Sequence, residues 1–98
     1  MILSVVALSI AACVPEPEAM HTGATGLPWY VKSEEVRLGK SSYAKFGLPR
    51  IFLPTDIELL TPHRGGFFYK ERGHRLGDVI YLLTWLESCE FQPYKIVE

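Results

Sequence analysis

The chain has 98 residues and a formal net charge of −1, which leaves room for one compact domain and gives no global pull toward nucleic acid or anionic headgroups. Charged residues make up 21% and apolar ones 48%, which excludes an intrinsically disordered composition. A domain of about 70 residues buries only about 60% of its unfolded surface, so the core must be dense, and five Phe, five Tyr and two Trp provide the large rings for it.

From Met1 to Ala12 no side chain is charged, and Ile2, Leu3, Val5, Val6, Ala7, Leu8 and Ile10 form an apolar run that ends in Ala11, Ala12 and Cys13. As a helix, this run would reach about 18 Å, against about 30 Å for a bilayer core. It is too short for a permanent span and suits the apolar region of a signal peptide. Ile10-Ala11-Ala12-Cys13 resembles the lipobox of bacterial lipoproteins: an aliphatic residue, two small residues and a cysteine. No Lys or Arg precedes the run, and Ile10 stands where Leu is more usual. The resemblance is confined to the N-terminus. It implies a diacylglyceryl thioether on Cys13, cleavage before it, acylation of the new amino group, and residence in the cell envelope on a lipid anchor. Val14 in place of Asp implies sorting to an outer membrane, facing the periplasm, in a cell that has one. The rival reading is an ordinary buried N-terminal helix or strand with a core cysteine.

Residues 14–28 contain three Pro, two Gly and two Thr with few bulky apolar side chains, the composition of a flexible tether. The expected division is therefore a signal peptide over 1–12, a lipid-anchored tether over 13–28 and a small globular domain over 29–98. Gly26-Leu27-Pro28-Trp29-Tyr30-Val31 is echoed by Gly47-Leu48-Pro49-Arg50-Ile51-Phe52, which reads as two similar corners, each a short strand leading to a helix start. Ser33 precedes Glu34 and Glu35, while Thr55 and Glu58 have capping-box spacing. Ser41 to Phe46 reads as a helical turn stopped by Gly47 and Pro49.

Phe67 to Lys70 reads as a short strand, and Glu71 to Asp78 as a polar turn. Val79 to Leu86 is an unbroken apolar stretch whose two alternating sets are both largely apolar, the pattern of a central strand covered on both faces. A helix from Val79 to about Cys89 is the alternative. Phe91 to Val97 would return as an edge strand, where Pro93 is tolerable. The expected fold class is α+β, a small antiparallel sheet with short helical corners.

His21, His63, His74 and Cys89 do not have the spacing of a structural zinc site, and no nucleophile signature surrounds Ser41, Ser42, Ser88 or Cys89. The acids are scattered, so no carboxylate pair stands out. The reading is a non-enzymatic protein with no cofactor and no metal. With Cys13 lipidated, Cys89 is left as an odd thiol, read as buried; exported without lipid, Cys13 could pair with it. The sharpest charge feature is the stretch 63–75, in which Arg64, Lys70, Arg72 and Arg75 flank Phe67, Phe68 and Tyr69 with Glu71 as the only acid. Such a basic aromatic hairpin can bind phosphate, lipopolysaccharide, a wall polymer or, in a chain that is not exported, nucleic acid. It can equally be a solubilised turn whose rings fill the core. The expected partners are the membrane, through the anchor, and an envelope protein or polymer.

Overall fold

The computed structural model describes residues 23–97. A single helical turn, α1 (Pro28–Val31), is followed by β1 (Val36–Leu38), β2 (Ser41–Lys45) and β3 (Arg50–Ile51). A 3-10 turn (Pro54–Asp56) then leads into a four-strand meander, β4 (Ile57–His63), β5 (Gly66–Glu71), β6 (Val79–Trp85) and β7 (Glu90–Val97). All pairings are antiparallel, in the order β1-β2-β7-β6-β5-β4, with β3 also paired to β7. The expected antiparallel sheet is present, but the α+β class is met only in part: strands dominate, and helix among the described residues amounts to α1 and the 3-10 turn.

β6 is the centre of the fold, as its two apolar faces require. Ile80 and Leu82 enter one cluster with Ala24, Trp29, Val36, Tyr43, Phe68 and Tyr94. Tyr81 and Leu83 enter the other with Phe52, Ile57, Tyr69 and Phe91. The first cluster is closed by α1 and the β1–β2 hairpin. The second is closed by the segment that carries Phe52 from β3 to β4. That segment joins strands four places apart, about 19 Å across a flat sheet at ~4.8 Å per strand. Six residue steps reach about 21 Å only when fully extended, and the 3-10 turn shortens them. The sheet therefore curls into a half-barrel. Its open edges, β1 and β4, face one another across a groove of about 360 Å³ lined by Leu38, Tyr43, Leu60 and Leu76.

β7 is not an edge strand: it pairs with β6 on one side and with β2 and β3 on the other. Pro93 is tolerated because β2 and β3 form one broken strand, interrupted at residues 46–49 directly opposite it. Antiparallel partners exchange N–H and C=O bonds in both directions. Phe46 N donates to Pro93 O at 2.9 Å, and Pro93 has no N–H to return. The buried Gln92 supplies the missing donor, its Nε2 reaching Phe46 O at 3.2 Å and Gly47 O at 3.1 Å. The proline that does lie on an edge is Pro62, exposed on β4, where it blocks further strand pairing.

Several local expectations are overturned. Ser41 to Phe46 is not helical: Ser41–Lys45 is β2, because Tyr43 points into the core while its neighbours stay half-exposed. No helix follows Ser33, which takes a positive φ of 57° in the turn after α1. Thr55 lies inside the 3-10 turn rather than capping a helix, and it is the Asp56 carboxylate that accepts a bond from Leu53 N at 3.3 Å. The two echoing segments differ, since Pro28–Val31 is helical and Arg50–Ile51 is a strand. Ala24 is fully buried, and its N–H bonds to Leu83 O at 3.1 Å. Gly23 lies so close to β6 that a Cβ there would overlap the Thr84 carbonyl. Cys13, the lipobox-like stretch and His21 lie outside the described residues.

Candidate functional site

The stretch 63–75 was the strongest chemical signal in the sequence, and the fold divides it. Arg64 and Gly65 form the β4–β5 turn, with φ of 44° and 91°, the left-handed pair that a two-residue hairpin needs. β5 then runs through Glu71, which sets Arg64 about 20 Å from Arg72 at ~3.4 Å per residue. Arg64 faces Glu34 at 3.7 Å, and its carbonyl accepts the Trp29 indole N–H at 3.0 Å. Phe68 and Tyr69 are fully buried and Phe67 half-buried, so the rings fill the core.

Lys70, Arg72 and Arg75 gather at the other end of β5. Lys70 Nζ lies 2.8 Å from Glu58 Oε2 and donates to His74 O at 2.6 Å. Arg72 faces Glu58 at 3.8 Å and donates to Ile57 O at 3.0 Å. The hydrogen bond from Lys70 holds the Glu58 carboxyl below its ordinary range, assisted by the charges of Lys70 and Arg72 against some desolvation. Glu58 stands opposite Lys70 in the ladder, so these cations fix the β4–β5 register. Arg75 is exposed in the connection to β6.

A polar cleft of about 450 Å³ opens beside them, lined by Arg50, Phe52, Asp56, Glu71, Arg72 and His74. β3 supplies Arg50, whose guanidinium sits over the rings of Phe52 at 4.6 Å and Tyr81 at 5.6 Å. It donates to Tyr81 Oη at 3.2 Å, and Tyr81 donates to Glu71 Oε2 at 3.1 Å. Arg50 Nη1 lies 3.9 Å from the same carboxylate, and His74 Nδ1 approaches Glu71 Oε1 at 3.4 Å. Burial, then the Glu71 charge, raises the Tyr81 pKa, which keeps the phenol protonated as a donor. The two rings and the phenol hold the guanidinium in one orientation, while its side chain remains 54% exposed. An oriented, accessible guanidinium with Arg72 and His74 nearby can take an anionic group by bidentate hydrogen bonding.

Among the described residues, no group of three His, Cys, Asp or Glu is placed to hold a metal ion. Cys89 is half-buried in the β6–β7 turn at φ 54° and is disulfide-bonded, not the odd thiol that the sequence reading expected. Arg50 and Tyr81 were not singled out by sequence. The signal for Arg50 was a lone cation within Leu48–Leu53, and Tyr81 was hidden in an apolar run. Compared with known protein families, characterised proteins and solved structures, the chain matches none.

Proposed function

We propose that this is a membrane-tethered envelope lipoprotein whose small, non-enzymatic domain contacts another envelope component. The observation that carries the reading is the uncharged apolar run closed by Ile10-Ala11-Ala12-Cys13. The test is the intact mass of protein recovered from bacterial membranes, wild type against Cys13→Ala. Loss of residues 1–12 with added lipid, absent in the variant, is the expected result. An unprocessed, unlipidated chain in the soluble fraction would overturn it. A chain two hydrogens lighter, without lipid, in which Cys13 and Cys89 share a disulfide, would overturn it as well.

The oriented guanidinium of Arg50 favours a second reading of the domain, an anion-binding module. The basic set inferred from sequence is then reduced and shifted: Arg64 drops out, Arg50 enters, and Arg72 stays, with Lys70 and Arg75 contributing field. Arg50→Glu should abolish retention on a phosphate-bearing polymer without altering the circular dichroism. Equal retention by wild type and Arg50→Glu would dismiss this reading.

A further inference from the structure

Arg50 lines two cavities. One is the polar cleft it shares with Asp56, Glu71, Arg72 and His74. The other is a pocket of about 230 Å³ formed with Phe46, Leu48, Val79, Tyr81 and Pro93. β6 and β7 make its floor: Tyr81 pairs with Pro93 in the ladder, antiparallel partners share a face, and Val79, two residues before Tyr81, lies on that same face. The β2–β3 break makes its rim, where Leu48 is 83% exposed and Phe46 47%. Among the described residues no acid lines this pocket, and Lys95 Nζ lies 5.1 Å from the centre of the Phe46 ring. It is smaller than the roughly 300–1,000 Å³ of a pocket for a whole small molecule and suits one large apolar side chain. Within the described residues the Arg50 guanidinium makes one hydrogen bond, from Nη1 to Tyr81 Oη. Its Nε–Nη2 edge, which can grip a carboxylate with two parallel bonds, is left open.

We propose that the two cavities take the C-terminal residue of a partner protein, its α-carboxylate on the Nε–Nη2 edge of Arg50 and its large apolar side chain in the Phe46–Leu48 pocket. This rests on the anion-binding reading of the same guanidinium and names its ligand. Because one residue lines both cavities, the anion and the apolar group must branch from nearly the same point, and a C-terminal residue carries both on one Cα. The cleft favours a single negative charge. Glu71 already lies 3.9 Å from Arg50 and Asp56 shares the cleft, so the second charge of a phosphate monoester would face two carboxylates. A fatty acid fits less well than a peptide. The pocket has room for a side chain's length of its tail, and the remainder would strip water from Asp56, Glu71 and His74 without replacing it, whereas peptide amides offer those carboxylates N–H donors.

The experiment titrates the full-length chain calorimetrically with N-acetylated tripeptides: Gly-Gly-Phe with a free carboxylate, the same peptide as its C-terminal amide, and Gly-Gly-Gly with a free carboxylate. The first should bind and each of the others should be at least about tenfold weaker, the amide for want of charge-assisted bonds and the glycine peptide for want of the buried ring. Leu48→Ser, at a side chain too exposed to carry the fold, should cut the preference for Phe over Gly and leave the preference for acid over amide. Arg50→Lys, which keeps the charge and loses the fork, should cut the second and leave the first. Equal binding of the acid and the amide overturns the proposal, and so does equal binding of the Phe and Gly acids. No binding of any peptide, with Arg50-dependent retention on the phosphate-bearing polymer intact, overturns it and leaves the anion site standing. Absence of both peptide binding and Arg50-dependent retention overturns the two together.

Discussion

Tyr94 is fully buried, and its hydroxyl has no hydrogen-bond partner. Burying a hydroxyl without a partner costs about 1–3 kcal/mol, so Tyr94→Phe should raise the denaturant midpoint at unchanged slope, by about 1 kcal/mol. His63 makes the opposite kind of contact. Its ring stands edge-on to Trp29 at 5.1 Å and to Phe68 at 6.0 Å, and burial, then the charge of Arg64, lowers its pKa below the ordinary 6.5. The folded state therefore resists protonation more than the unfolded chain does. The stabilisation is intact above about pH 6.5 and is lost as pH falls through that value toward the folded pKa. His63→Phe should be progressively more stable relative to wild type from pH 7.5 to pH 5, as measured by urea unfolding at each pH. At this scale the sequence was informative about composition and misleading about partners. Arg64, Lys70, Arg72 and Arg75 are adjacent in the chain, but Glu34 and Glu58, which meet Arg64, Lys70 and Arg72, come from other strands and turns.

The break between β2 and β3 is the element most dependent on one side chain. Gln92→Leu would leave Phe46 O and Gly47 O without their donor, and a loss of about 1–3 kcal/mol is expected. It would be read by thermal unfolding, with faster amide exchange at Phe46 than elsewhere in the sheet. β6 was legible because both of its faces are apolar over seven residues, a pattern that only a doubly covered strand explains. β2 was not, since Ser41-Ser42-Tyr43-Ala44-Lys45 carries one large apolar side chain and its strand state comes from pairing with β1 and β7. β7 was recognised as a strand but placed at the edge on the strength of Pro93, because the compensating gap opposite it is formed by residues nearly fifty positions away in the chain.

For the whole molecule, closure depends on Phe52. Its ring meets Tyr81 at 4.8 Å and Phe91 at 5.6 Å, and it is the large side chain that the short β3–β4 connection lays over the second cluster. Phe52→Ala should cost about 3–5 kcal/mol and, by releasing Arg50, should also weaken the polar cleft; calorimetry and anion retention would read the two effects separately. Curvature of this kind was not legible in the sequence, because it follows from how far apart β3 and β4 lie in the sheet, and strand order is not encoded locally. The path of the chain from Gly23 onward also sets how it would respond to force. A pull applied at Gly23 first loads the backbone bond from Ala24 to Leu83, then the packing of Leu27, then α1. These would peel one after another while the β4–β7 meander stays unloaded, so the domain should yield in small early steps and keep its central sheet at forces that have already stripped its N-terminal cover.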